Sequence, residues 1–269
     1  MPLSPNLIAS RTNPRIKQLR AAFSGHARLS GGLIALEGNH LLEEALRSGM
    51  VLKSIFLAEH RPLPAFVPAS IEVLRLTGEL FDSIMETRSP QGIAALMVPP
   101  VSTIDSLIWG VPLILIAIGL QDPGNLGTLV RSAEAFGATG ILTSAGTVNP
   151  WNGKSLRASV GSIFRLPVVA AGIEHLLALQ SRGLKLLAAV GEGVGTDDVF
   201  ELRDVDLTGG VAIMIGHEGA GLGPEWIEIA DGQITIPCAG PVESLNAGVA
   251  GSIILYEAHR QRARVGVRA

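Results

Sequence analysis

The amino-acid sequence predicts an α/β protein: a C-terminal part built on a mostly parallel sheet with helices on both faces, preceded by a smaller α/β unit. Three observations carry this. Nearly continuous apolar runs at 112–119 and 211–215 suit strands covered on both faces. Segments of helical apolar period stand between such runs. Three stretches rich in Gly, Asn and small residues (NLGTLVR at 125–131, GHEGAG at 216–221, IPCAGPVESLNAGVA at 236–250) each follow a predicted strand. Small residues let backbone approach a ligand closely, so three such turns argue for one cleft assembled at strand C-terminal ends.

In the first part, Asn13-Pro14 reads as a cap and first helical position, with Ile16, Leu19 and Phe23 on one face. The run 33–36 reads as a strand. Asn39 then opens a helix with Leu42, Ala45 and Leu46 inside and Gly49 as its stop. Further strands are expected at 52–57, 72–76 and 93–98, and Pro99-Pro100 ends the unit. The expected boundaries are 1–100 for this unit, 101–110 for a connector and 111–269 for the second part.

In the second part, a strand at 112–119 leads through the first turn into a helix carrying Leu126, Leu129, Val130 and Ala133 and ending near Gly137. Strands are expected at 140–142, 185–190, 211–215 and 233–236, with helices at about 153–164, 172–182 and 223–230. A last helix from about Asn246 to Arg262 is expected to bury Val249, Ala250, Ile253 and Ile254.

Composition narrows the chemistry. At 269 residues, 47% hydrophobic and 17% charged, the chain has the means to bury a sizeable core and is not of the disordered class. The single Cys238 excludes an intrachain disulfide and a cysteine-rich metal site, as in a reducing cytoplasm. The apolar run 107–120 is too short to span a bilayer and is broken by Gly110 and Pro112, and no signal peptide is evident. The net charge of −3 is no nucleic-acid signature, but its distribution is uneven. Arg11, Arg15, Lys17, Arg20 and Arg28 precede the first acid, Glu37; Arg260, Arg262, Arg264 and Arg268 follow the last, Glu257. Basic ends either track phosphates or are solvated termini.

Several site classes fail on spacing. In GHEGAGLG a G-x-G-x-x-G starting at Gly219 meets Pro224 where its last glycine should stand, and Cys238-Ala239 occupy the region where a ribose-binding acid is needed. There is no P-loop, no H-E-x-x-H, no cysteine pair and no G-x-S-x-G, so neither a metal nor a hydrolase elbow is expected.

With the turns in order, the second part resembles the SpoU (TrmH-like) family of RNA ribose 2′-O-methyltransferases, within the SPOUT superfamily. Asn125, Gly127 and Arg131 match its first motif, N-x-G-x-x-x-R. Gly216, Glu218, Gly219 and Gly221 match the second, G-x-E-G-x-G. Ile236, Pro237, Gly240, Ser244, Leu245, Asn246, Val249 and Ala250 match the third, and RASVGSIFRLPV at 157–168 is also similar. The first part resembles the ribosomal-protein-like RNA-binding domain often found in front, through SRTNPRIKQLR at 10–20, EG at 37–38 and SPQGI at 89–93. Where the family often has Val-Ser after the third-motif Asn, Ala247 and Gly248 stand here, so no role is carried over to position 248.

The resemblance implies a trefoil knot, S-adenosylmethionine held by the knotted turns, an RNA substrate (ribosomal or transfer RNA), and a homodimer with its site at the subunit interface. It points to Asn125, Arg131, Glu218 and Asn246 as catalytic, and to Gly216, Gly219, Ile236, Pro237, Leu245 and Asn246 as cofactor-binding. RNA contacts are expected from Arg11, Arg15, Lys17, Lys154, Arg157 and Ser159.

Each assignment has a plainer counterpart. Arg131 is the first choice for a fixed positive charge beside a developing alkoxide, since guanidinium stays protonated; its plainer role is a surface ion pair with Glu134. Asn125 orients Arg131 or the ribose, or merely caps a helix. Glu218, between glycines, orients Asn246 or Arg131, takes the hydroxyl proton, or bonds to loop backbone. Ser244 is a candidate cap for the last helix, with Asn246 facing the ribose. Cys238 reads as a small hydrophobe, His217 shows no evident partner, and Trp151 and Trp226 read as packing groups, Trp151 with RNA within reach. A non-catalytic RNA-binding or ribosome-assembly protein with the same fold is the alternative to the enzyme.

Overall fold

A computed structural model describes residues 7–26, 31–191, 199–240 and 244–267. Arg28, Arg268 and positions 241–243 of the third turn lie outside the described residues. The chain runs β1 Leu7–Ile8, α1 Pro14–Phe23, β2 Ile34–Glu37, α2 Asn39–Arg47, β3 Leu52–Ala58, β4 Glu72–Leu76, α3 Gly78–Asp82 and β5 Ile93–Met97. It continues β6 Leu113–Ala117, α4 Pro123–Ala135, β7 Gly140–Thr143, α5 Gly153–Ser159, β8 Val168–Ala170, α6 Ile173–Ser181, β9 Lys185–Ala189, β10 Val199–Glu201, β11 Val211–Ile215, α7 Pro224–Glu228, β12 Gly232–Thr235 and α8 Ala247–Arg264. By packing, the chain divides into Met1–Val101 with Trp151–Phe164, and Ser102–Pro150 with Arg165–Ala269.

The first unit holds a five-stranded sheet in the order β1-β4-β3-β5-β2. Asn13 caps α1 by accepting from the Arg15 N–H at 2.9 Å, with Pro14 at the first turn, where a missing N–H costs nothing. Ile16 and Leu19 are fully buried and pack with Phe56, Leu76, Phe81 and Leu96. Gly49, at φ 73°, lies just beyond the end of α2, which buries Leu41, Leu42 and Ala45 while Leu46 stays half-buried. The sequence marks neither β1 nor α3, because two and five residues are too few to show a period. The expected helix over 153–164 is instead α5 followed by a separate 3₁₀ turn, Ser162–Phe164. Val160 at φ 51° and Gly161 at φ 87° break it. A Cβ on Gly161 would stand 2.8 Å from Glu44 Cβ, so the chain turns where only glycine fits against α2.

The second unit is built on seven parallel strands in the order β10-β12-β9-β11-β6-β7-β8. All five residues of β11 are buried between β9 and β6, and Ile215 is in register with Ala117 and Ala189. The C-terminal ends of these strands therefore align, and that alignment brings the sequence's turns to one edge of the sheet. Ile114, Ile116, Leu142, Leu186 and Met214 form the core under Leu176 and Leu179 of α6.

Helix α8 corrects the sequence reading of its faces. It buries Ala247, Gly248, Gly251, Ile254, Leu255 and Ala258, while Val249 is 47% and Ile253 37% exposed; Ala250 is half-buried. The reason is its close approach to α4: a Cβ on Gly251 would collide with Leu129 Cδ2. A helix pair this tight turns its small residues inward, so apolar period alone selects the wrong stripe.

The basic C-terminus is corrected too. The Arg262 side chain is buried and donates from Nε to Leu207 O at 3.0 Å, from Nη1 to Val111 O at 2.8 Å, and from Nη2 to Pro112 O at 3.0 Å and to Gly209 O. Burial pulls its pKa below the ordinary arginine value, and its donors are spent on carbonyls rather than phosphates. Arg260 is paired with Glu257.

Candidate active site

A cavity of about 270 Å³ opens at the aligned strand ends, lined by Val190, Gly216, Glu218, Ile236, Ser244 and Leu245 among others. Its middle wall is a closed turn. His217 and Gly221 exchange backbone hydrogen bonds of 3.0 and 2.9 Å, and a Cβ on Gly216 would lie 2.6 Å from Leu222 N. Only glycine permits that return. His217 is not partnerless: its Nδ1 accepts from the backbone N–H of Gly219 at 3.0 Å and of Ala220 at 3.3 Å. The turn so braced carries Glu218 at its tip.

Glu218 joins the second turn to the first. Its carboxylate accepts from Asn125 Nδ2 at 2.9 Å and from the backbone N–H groups of Gln121 and Asp122, each at 3.2 Å. Partial burial pushes its pKa up, but the hydrogen bonds from Asn125 and from backbone N–H groups outweigh it and hold the carboxyl below the ordinary glutamate value. An ionised carboxylate only accepts, so the Asn125 amide must turn its nitrogen to Glu218 and its oxygen away. That oxygen accepts from Asn246 Nδ2 at 3.0 Å. Asn246 Oδ1 in turn accepts from the N–H groups of Gly248 and Val249 at 2.9 and 3.2 Å, which makes Asn246, not Ser244, the cap of α8. The cap of α4 is Asp122, not Asn125. Every amide in the relay has a forced direction, and the three turns become one hydrogen-bonded body.

Arg131 stands on α4, exposed, and among the described residues makes no hydrogen bond or ion pair. The carboxylate that would neutralise it on the surface is taken: Glu134 pairs with Arg165. An unneutralised guanidinium two turns into the helix that begins at the first turn is free to meet an anion.

Residues 112–256 match the SpoU rRNA Methylase family model, and residues 13–95 match the MRM3-like substrate binding domain. The chain belongs to the SpoU family. It is 30% identical to the 23S rRNA (guanosine(2553)-2′-O)-methyltransferase of Bacillus subtilis, over 93% of this chain and 97% of that one. It is 29% identical to the 23S rRNA (uridine(2479)-2′-O)-methyltransferase of Streptomyces viridochromogenes, over 95% and 92%. Among solved structures, the SpoU methyltransferase AviRb from S. viridochromogenes in complex with AdoMet superposes with a TM-score of 0.83 at 27% identity, covering 93% of this chain and 98% of that one. The fold is thus that of SPOUT methyltransferases with a substrate-binding domain in front.

The cavity fits the SpoU cofactor. Its volume lies just under the usual range of small-molecule sites, and its walls combine apolar side chains, Ile236 and Leu245, with backbone brought close by Gly216. Cys238 is half-buried on the same wall, and Trp226 packs against the core. No group of three or more His, Cys, Asp or Glu suited to a metal occurs among the described residues.

The expected RNA contacts are sorted by the structure. Arg11, Arg15 and Lys17 are exposed, but Arg15 is paired with Glu72 at 2.9 Å. Lys154 is exposed and Arg157 pairs with Glu86 at 3.6 Å. Ser159 is fully buried and donates to Leu156 O at 2.9 Å, so it offers nothing to a ligand at the surface. The sequence reading passed over Gln121 and Asp122, whose N–H groups hold Glu218. Backbone donors leave no residue-type signal; the acid-Pro pair Asp122-Pro123, a helix-start pattern, is the one clue available.

Proposed function

We propose that this SpoU protein transfers the methyl group of S-adenosylmethionine to a ribose 2′-hydroxyl of ribosomal RNA. The observation that carries the reading is the relay Asn246–Asn125–Glu218, which ties all three family motifs together beside the cavity that Glu218 lines. When bound, S-adenosylmethionine supplies an electrophilic methyl group on sulfonium. Ile236, Leu245 and the backbone around Gly216, Gly219 and Pro237 hold it.

The chain's own task is alignment and charge. Positioning of reactants supplies about 7–11 kcal/mol in favourable cases. The relay keeps Asn125 and Asn246 in one orientation, each with a second amide N–H left over for a sugar or phosphate oxygen. Arg131, a cation without a carboxylate partner, opposes the negative charge on the 2′-oxygen as its proton passes to solvent water and the methyl group moves to it from the sulfonium, which leaves as a neutral thioether. Glu218, with its lowered proton affinity, is a poor base and an effective anchor.

The 1–100 unit binds RNA, through Arg11 and Lys17 among others, and 111–269 carries the transfer. The working form is a homodimer joined over the outer face of α8, where Val249, Ile253 and Tyr256 stay exposed and Phe136 meets Tyr256 edge to face at 5.6 Å. The enzyme works in the cytoplasm, where ribosomal RNA is processed; no helix among the described residues is long and apolar enough to cross a membrane.

The test is labelled methyl transfer from S-adenosylmethionine to total RNA, followed by alkaline digestion. Methylation at a 2′-oxygen leaves an alkali-resistant labelled dinucleotide. Label in mononucleotides alone means base methylation, and no label means an RNA-binding protein without turnover; either result overturns the reading.

A further inference from the structure

The Gln121 side chain is exposed and contributes nothing to the core, yet it is held at two points. Its Nε2 donates to Gly119 O at 3.2 Å and to Gly146 O at 2.6 Å. Both carbonyls follow sheet strands, one after β6 and one after β7, at glycines with φ of 65° and 82°. Two carbonyl partners fix the amide direction: the nitrogen must face them, and no hydroxyl or carboxylate can substitute. The same residue's backbone N–H donates to Glu218 Oε2 at 3.2 Å. The loop it grips is braced from the other side, since Gly119 N donates to Ser144 Oγ and Thr147 Oγ1, each at 3.0 Å. Val148 N also donates to Leu120 O at 2.8 Å.

We infer that Gln121 is a positioning residue for methyl transfer: its side chain clamps the β6 and β7 turns together so that its own N–H and that of Asp122 present a fixed cradle to Glu218, and through Glu218 to Asn125 and Asn246. This rests on the transferase reading above and extends it to a residue outside the relay. The chemistry requires a donor at the end of this side chain. Glutamate is nearly isosteric but places acceptor oxygens against two carbonyls, and the clamp opens. Lysine keeps donors and the clamp holds. Because the side chain is exposed, neither substitution leaves a core cavity.

The experiment compares the parent chain with Gln121→Glu and Gln121→Lys in three readouts. In steady-state methyl transfer, Gln121→Glu lowers kcat roughly 10- to 100-fold, the scale of a misplacement on the order of 1 Å. In calorimetric titration with S-adenosylmethionine its Kd stays within about threefold of the parent, because only Glu218 at the cavity edge is loosened while Gly216, Ile236 and Leu245 keep their places. In amide hydrogen exchange, Gln121 and Asp122 exchange faster in Gln121→Glu and at the parental rate in Gln121→Lys, which also recovers kcat. Equal loss of kcat in both variants, a Kd weakened in proportion to kcat, or unchanged exchange in Gln121→Glu would each overturn the clamp. If the parent itself transfers no methyl group, the transferase reading fails while the exchange arm still decides whether the clamp exists.

Discussion

Two arginines of the second unit, Arg131 near the first turn and Arg262 at the far end of α8, show opposite uses of one side chain. Arg262 is wrapped by four backbone carbonyls and holds the start of β6 and the 207–209 segment to the last helix. Its planar fork suits this, because several donors diverge from one rigid group. Arg131 is exposed, and its nearest sequence candidate for neutralisation, Glu134, is occupied by Arg165. A cation satisfied within the fold serves stability, whereas one left unneutralised at a cleft is available to charge that develops in a reaction. Sequence alone lists both as basic residues on helices.

Substitutions can break that contrast. The largest effect is expected at Arg131: replacement by Ala lowers methyl transfer by about 10²–10³-fold, the scale of losing one preorganised donor to a developing oxyanion. Calorimetric affinity for S-adenosylmethionine should stay close to parental. Equal loss of both would place Arg131 in the same structural class as Arg262. At Arg262 the pattern inverts. Arg262→Met leaves Leu207 O, Val111 O and Gly209 O without this donor, while Pro112 O keeps the Val211 N–H, and should cost about 1–3 kcal/mol in denaturant unfolding, with activity per folded molecule retained below the transition.

A smaller effect separates the two faces of α8. Ile253→Glu places charge on the outer face and, for the dimer proposed above, should weaken self-association by about tenfold or more in sedimentation without disturbing the inward contact with α4. The smallest concerns pH. The Glu218 carboxyl is held below its ordinary value, so the stability it lends is fully present above that value and is lost as pH falls through the lowered one. Glu218→Gln should flatten this acid-side dependence of thermal stability, by less than about 1 kcal/mol for so exposed a group. A parental slope in the variant would mean that another carboxylate carries the effect.

The strands of the second sheet were legible because burial on both faces demands unbroken apolar runs, as in 113–117 and 211–215. The start of α1 was legible because Asn-Pro is a local signal. The helix break at Val160-Gly161 and the strands β8 and β10 were not: each is decided by a neighbour or is too short for a period. The motif residues Asn125, Glu218 and Asn246 could be picked out by type and spacing. Their partners could not, since Asn125 meets Glu218 and Asn246 across 93 and 121 positions of sequence. Ser159 was a false candidate, because a polar residue type does not reveal that its hydroxyl turns back to its own helix.

What the sequence by itself determined is the local and the periodic: the parallel α/β class, the order of turns, and the residue types able to do methyl-transfer chemistry. Tertiary structure alone decided direction and availability. Which way each amide points, which face of α8 turns inward and which arginine is left unsatisfied all follow from packing between elements distant in sequence. Such contacts leave no periodic trace in the chain.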